Sequence, residues 1–255
     1  MISLVQRKKI ILDKVNLEGY VQVADLAETL NVTQATIRSD LRAMEKEGLL
    51  FRVHGSAMSK NPIARERTTQ DKISINYDAK CRIGRAAQKL VQGDETIMLL
   101  PGSTVYAFAE QLNPPFELSV FTTALTVAQM LASRRNISVK VLGGTVDPSS
   151  MSVHGEFSEE VLNNIVCSYM FFGADGMSCK NGITCATVEE AIFMQRLMKT
   201  SLKSVLLCDS SKIGKVAAGR ICWMGDVDIL ITDSSISKKD LKEFEANGVD
   251  VIIAE

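Results

Sequence analysis

From Thr96 onward, short apolar runs alternate with segments of helical spacing, and this alternation limits the available folds more than any other feature of the chain. Thr96 to Leu100, Ser119 to Thr122, Ile137 to Leu142, Tyr169 to Phe172, Ser204 to Leu207, Ile229 to Thr232 and Val249 to Ile253 read as strands, most of them apolar enough to be covered on both faces. Helical spacing marks Ala79 to Gln92 through Ile83, Ala86, Leu90 and Val91, then Val105 to Leu112, Leu125 to Ser133, Phe157 to Asn164, Glu189 to Ser201 and Lys238 to Ala246. That order predicts an α/β domain with an open, largely parallel sheet and helices on both sides. Ligands in such sheets bind beyond the carboxyl ends of the strands.

Loops with similar chemistry stand at those ends. Pro101-Gly102-Ser103-Thr104 lies between a strand and a helix, where amides, two hydroxyls and a helix N-terminus can cradle a phosphate. Thr122-Thr123, Gly143-Gly144-Thr145, Gly173-Ala174-Asp175-Gly176 and Asp209-Ser210-Ser211-Lys212 follow later strands. Each alone is an ordinary turn, since Gly and Ser are common turn residues. Together they line one edge with amides, hydroxyls, a carboxylate and a lysine, a set suited to a small phosphorylated polyol or sugar.

The chain before these strands has a different pattern. Leu4, Ile11 and Val15, with Ile10 alongside, make a first amphipathic helix whose basic cluster Arg7-Lys8-Lys9 lies across the exposed side. Tyr20 to Val23 alternates like a short strand, and Val23, Leu26, Ala27 and Leu30 mark a second helix. Only Asn31 and Val32 separate it from Thr33, a good N-cap for a third helix with Ile37, Leu41 and Met44 on its apolar stripe. Gly48 ends that helix, and Leu49 to Gly55 reads as a strand bending at glycine. The polar face of the third helix presents Gln34, Thr36, Arg38, Ser39 and Arg42, groups that suit base edges and phosphates. The elements spell a winged helix-turn-helix whose wing places Arg52 and His54 near a phosphate backbone. Periodicity by itself favours the plainer reading, a pair of packed helices in any small domain.

Global charge does not choose between these readings. The formal net charge is −1 with pI near 6.2, so any attraction to nucleic acid must be local. Residues 1–60 carry nine Lys/Arg against seven Asp/Glu, a net of +2 that leaves −3 for the remainder. The cysteines at 81, 167, 179, 185, 208 and 222 form no C-x-x-C pair, and the histidines are His54 and His154, so no metal, disulfide framework or cofactor is expected. No secretory signal pattern or membrane-length apolar run occurs, and a cytoplasmic location is expected. Pro62 and the mixed-charge run Ala64 to Lys72 have little periodicity. The expected organisation is a DNA-binding domain at 1–57, a linker at 58–78 that is helical in part, and an effector-binding and oligomerisation domain at 79–255.

The stretch from Ile10 to Gly55, with A-D-L-A-E-T-L, T-Q-A-T-I-R-S-D-L-R, E-x-E-G and R-V-H-G, closely resembles the N-terminal domain of DeoR-type bacterial transcriptional regulators. The resemblance extends through G-S-T, L-G-G, H-G, F-F-G-A-D-G, G-I-T, D-S-S-K-I-G and I-T-D, and so covers nearly the whole chain. It implies a sugar-phosphate-sensing C-terminal domain that looks like ribose-5-phosphate isomerase, and a repressor of a carbohydrate-utilisation operon acting as a dimer or tetramer on operator DNA. By that resemblance Thr33, Gln34, Thr36, Arg38, Ser39, Arg42, Arg52 and His54 contact DNA. Gly102, Ser103, Thr104, Thr122, Thr123, Gly143, Gly144, Asp175, Gly176 and Lys212 form the effector edge. Departures from the family occur at Ser39 and Ser56, where relatives often carry arginine and glycine, and at Leu100, Thr123 and Gln195, where many carry aspartate, asparagine and lysine.

A rival reading makes the C-terminal domain an isomerase with a carboxylate shuttling a proton. The isomerases that it resembles read D-G-A-D where this chain has Phe172-Gly173-Ala174-Asp175, and Met194 or Gln195 falls where their glutamate base lies. Both losses favour binding without turnover. A third reading, a purely structural or interaction module, leaves the loop set without a purpose.

Overall fold

The chain divides after Arg67, with one compact unit spanning Met1–Arg67 and a second Thr68–Glu255. The computed structural model describes residues 3–18, 20–53, 55–59, 68–93, 95–155 and 162–255. In the first unit α1 (Leu4–Glu18), β1 (Tyr20–Gln22), α2 (Val23–Thr29) and α3 (Gln34–Lys46) precede a hairpin of β2 (Leu50–Val53) and β3 (Ser56–Ser59). The three strands form one antiparallel sheet in the order β1-β3-β2. Ile11, Val15, Leu26, Ile37, Leu41, Met44 and Leu50 are buried together beneath it. The apolar stripe of α1 is shorter than expected, since Leu4 and Ile10 are exposed. The expected strand also ends one residue early, because Val23 opens α2 and is buried there.

The second unit is organised by a seven-stranded, all-parallel sheet of β4 (Thr96–Leu99), β5 (Leu118–Thr122), β6 (Ile137–Val141), β9 (Cys167–Phe172), β12 (Ser201–Leu207), β14 (Ile229–Asp233) and β15 (Asp250–Ala254). Every strand expected from the apolar runs belongs to it. The order β15-β14-β12-β9-β4-β5-β6 runs outward in both directions from the β4–β9 pair, making that pair the topological switch point. Alternate residues face opposite cores. Leu99, Phe171 and Val205 pack with α5 (Tyr77–Gln88), α6 (Ser103–Gln111) and α7 (Leu125–Leu131), whereas Met98, Met170, Phe172 and Leu206 pack with α8 (Val188–Met198) and α9 (Lys238–Ala246). The helix expected at Phe157 to Asn164 falls, up to residue 161, outside the described residues.

The short strands β7 (Thr145–Asp147), β8 (Ser152–His154), β10 (Gly176–Ser178), β11 (Gly182–Cys185) and β13 (Gly219–Cys222) form two further antiparallel sheets that the sequence pattern did not reveal. Strands of three or four residues are too short for alternation to show. Residues 68–78, the later part of the expected and partly helical linker, lie in the second unit. They form α4 (Thr69–Ile73) and the start of α5, and the Thr69 amide donates to Ser149 O at 3.1 Å.

Candidate functional site

The exposed face of α3 is set by how the helix begins and ends. Thr33 caps it, its hydroxyl accepting from the Thr36 amide at 3.1 Å and lying 2.9 Å from Thr36 Oγ1. At the other end Gly48 takes φ +73°, and the Gly48 and Leu49 amides bond to Glu45 O and Met44 O, closing the last turn with paired reverse bonds. Gln34, Arg38, Ser39 and Arg42 are exposed between these ends, and Arg38 donates to Gln34 Oε1 at 2.9 Å. Thr33 and Thr36 therefore already have structural partners, while Arg38, Ser39 and Arg42 form the open part of the face. Arg52 on β2 donates through its amide and guanidinium to the Glu45 carboxylate at 3.1 and 3.3 Å, which ties the wing to α3. His54 lies outside the described residues.

The basic cluster expected across the exposed side of α1 is largely committed. Arg7 grips the buried Asp40 of α3 through two bonds of 2.5 and 3.1 Å, and that hydrogen-bonded carboxylate raises the guanidinium further above its ordinary value. Lys8 pairs with Glu47 at 2.5 Å. A buried aspartate on α3 requires such a partner, so these cations hold the helix in place more than they extend a basic surface.

In the second unit the loops after β4 and β9 meet at the switch point, where a Cβ placed on Gly102 would stand 3.8 Å from Gly173 Cα. Ser103 begins α6 at that opening and is partly exposed, whereas Thr104 is buried. Asp175, beyond β9, sits 2.8 Å from Lys72 Nζ and 3.9 Å from Lys212 Nζ. Burial pushes its carboxyl up, but Lys72, Lys212 and Lys215 outweigh this and hold it below the ordinary carboxylate range. Lys80 of α5 is buried in the same neighbourhood and donates to Lys72 O. Desolvation brings its ammonium down to about 8, against the pull of Asp209 and with the push of Lys212 and Lys72. Asp209 accepts from Asn76 Nδ2 and the Ser211 amide, each at 3.1 Å. A cleft of about 560 Å³ adjoins, lined by Asn76, Tyr77, Arg82, Asp209, Ser210 and Asp233.

The remaining expected residues divide by role. Thr122 spends its hydroxyl on the backbone, donating to Leu99 O at 2.6 Å and accepting from the Ala124 amide at 3.0 Å. The Thr123 hydroxyl is buried without a hydrogen-bond partner among the described residues. Gly144 and Gly176 owe their identity to close packing, since a Cβ on either would lie 2.3 Å from a backbone oxygen, of His154 and Lys215 respectively. Gly143 is exposed at the entrance to the β7–β8 hairpin. His154 lies 2.8 Å from Ser152 Oγ and edge-on to Phe193.

Lys72, Asn76 and Lys80 join this cluster and were missed in the sequence. For Lys80 a signal existed, because Lys80, Ile83, Gly84 and Ala87 form the buried stripe of α5 at helical spacing. A lysine on such a stripe is a buried charge in need of an anion.

A winged helix-turn-helix followed by a two-faced α/β unit with a cluster of lysines and aspartates beside a polar cleft defines a DNA-binding regulator with a ligand-sensing domain. Family profiles for the DeoR-like helix-turn-helix domain and the DeoR C terminal sensor domain match residues 7–62 and 75–234, and the chain belongs to the DeoR family of transcriptional regulators. It is 32% identical to the HTH-type transcriptional regulator GolR of Listeria innocua, over 98% of each protein. It is 33% identical to a lactose phosphotransferase system repressor of Staphylococcus epidermidis, over 93% of this chain and 94% of that one. A putative aga operon transcriptional repressor of Escherichia coli O157:H7 is 27% identical, over 97% of this chain and 93% of that protein. Among solved structures, ribose 5-phosphate isomerase A of Methanocaldococcus jannaschii aligns with TM-score 0.37 and 18% identity over 54% of this chain and 55% of that one, too loosely to inform ligand or chemistry. No described helix is long and apolar enough to cross a membrane.

Proposed function

We propose that this protein is a cytoplasmic repressor of a carbohydrate-utilisation operon that binds operator DNA as a dimer or tetramer and responds to a small phosphorylated sugar or polyol. The observation that carries the effector reading is the gathering of Lys72, Lys80 and Lys212 around Asp175 and Asp209 at the switch point, beside the N-terminus of α6. The lysines suit a phosphate, the α6 amides add to it, and Asp175 suits sugar hydroxyls. Thr123 Oγ1 supplies a buried hydroxyl at the same strand ends. The sugar-operon names of the relatives agree with this choice of ligand class.

The same reading has binding without turnover. Phe172 is in the core, Met194 is buried, and Gln195 donates to Arg220 O at 2.9 Å, so none offers a base. Asp175, held ionised by its lysines, is too weak a base for proton abstraction near neutral pH. Gel shifts with an operator fragment selected by the full chain test the effector: at least one sugar phosphate is expected to change affinity, and none doing so rejects it. Incubation with pentose and hexose phosphates is expected to yield no isomerised product.

For the DNA face, Gln34, Arg38, Ser39 and Arg42 are assigned to bases and nearby phosphates, with Arg52 and His54 of the wing on the backbone. Paired half-sites are assigned because one short helix spans few base pairs. Arg38→Ala is expected to lower operator affinity by about 1–3 kcal/mol while thermal unfolding stays unchanged. Unaltered affinity would reject this reading face.

A further inference from the structure

α4 is the first described element after the segment joining the two units, and among the described α-helices of the second unit it alone has no fully buried side chain. Five residues are far fewer than a helix needs to hold itself in water. Its one apolar side chain, Ile73, is only half-buried where the helix lies against α6, and polar contacts supply the rest of its hold. Thr68 and Asp71 form a capping box, the Thr69 amide donates to Ser149 O, Lys80 donates to Lys72 O, and Lys72 Nζ donates to Asp175 Oδ1 at 2.8 Å. The last two contacts end on Lys80 and Asp175, the cation and carboxylate assigned to the effector.

We propose that the Lys72–Asp175 contact is a latch opened by the effector: sugar hydroxyls compete for Asp175, the phosphate draws Lys80 away from Lys72 O, and α4 loses both contacts to the crevice. This rests on reading the crevice as an effector site. The exchange needs no new charge partner, since Lys212 is 3.9 Å from the same Asp175 oxygen and Lys72 can follow the phosphate. With two of its anchors removed, a five-residue helix whose only apolar side chain, Ile73, is half-buried becomes locally unstable. Its residues then join the tether to the DNA-binding unit. A longer tether lowers the effective concentration of a second DNA-binding unit at its half-site, so the message requires no rigid rearrangement. The effector need only prefer the unlatched arrangement.

Hydrogen exchange of a peptide covering residues 68–76, measured in the full chain, tests the latch without any ligand. In Lys72→Met its amides are expected to exchange at least about tenfold faster, with β4 and β9 as protected as in the parent, and Lys72→Arg should restore slow exchange. Unchanged exchange in Lys72→Met overturns the proposal. If Lys72→Met fails to fold, Asp175→Asn takes its place with the same expected and overturning results. A second arm adds pentose 5-phosphates and hexose 6-phosphates, with inorganic phosphate alongside. The compound that weakens operator binding is expected to speed exchange of the same peptide in the parent, and to lose most of its effect on operator affinity in Lys72→Met. A compound that changes operator affinity while that exchange stays constant overturns the latch and leaves the effector reading intact. If no compound changes operator affinity, the effector reading itself fails and the latch falls with it.

Discussion

Each unit sets a carboxylate against a cation distant in sequence, and the two use different cations. In the first, Arg7 of α1 grips Asp40 of α3 through two bonds, with side chains only 13% and 6% exposed. In the second, Lys72 touches Asp175 through one bond, the side chains are 23% and 26% exposed, and Lys212 waits 3.9 Å away. A guanidinium fork fixes both distance and direction, whereas an ammonium is a point charge that can change partners at little geometric cost. The contact holding α3 is built to persist. The one at the crevice has a replacement at hand.

The largest effect should come from the fork. Arg7→Met leaves the buried Asp40 without its cation and is expected to destabilise the first unit by about 2–3 kcal/mol, toward the low end for broken buried pairs because Arg7 keeps some contact with water. Denaturant unfolding that reports on this unit measures it, and a loss below about 0.5 kcal/mol would erase the contrast.

Next comes Lys80, the buried ammonium of the exchangeable cluster. Its folded value of about 8 lies below the ordinary 10.5, so between those pH values the unfolded chain binds more protons than the folded one. Stability from this group is therefore lowest below pH about 8 and rises toward pH about 10.5, by an expected 1–2 kcal/mol or so. Lys80→Met should abolish that slope, and effector affinity should fall as pH rises through about 8 in the parent. A parent and variant with equal slopes would show that the lysine is not held in this way.

Lys72→Met sharpens the contrast from the other side. Global stability should change by less than about 1 kcal/mol, as for a solvent-touched single-bond pair, in spite of the local effect on α4. A loss as large as that of Arg7→Met would make the two pairs alike. The smallest expected effect is at Thr123, whose hydroxyl is buried without a partner among the described residues. Thr123→Val should leave stability within about 0.5 kcal/mol or raise it slightly, because no internal bond is lost. It should also weaken effector binding a few-fold by calorimetry, and unchanged binding would remove Thr123 from the site.

The elements were legible where their signals are local. Thr33 as a cap, Ile37, Leu41 and Met44 as a stripe, and all seven strands of the main sheet follow from spacing and apolar content within a few residues. The site was legible in part. Gly102, Asp175 and Lys212 stand at strand ends, as the topology required, but Thr122 proved to bind backbone and Gly144 and Gly176 proved to serve close packing. Those roles depend on what lies opposite, on Leu99 O, His154 O and Lys215 O, and no local pattern carries that information. Arg7 misled for the same reason, since its partner Asp40 belongs to another helix.

The sequence by itself determined two domains of different architecture and a helix whose exposed face suits DNA, because caps, periodicity and apolar runs act over one or two turns or one strand. Tertiary structure decided which charges meet. Arg7 and Asp40 are 33 residues apart, and Lys72 and Asp175 are 103 apart. Both pairs exist only because helix packing in one unit, and strand order with α4 beyond the end of β9 in the other, carry them together. An ionic contact depends on distance in space, and the fold alone sets that distance.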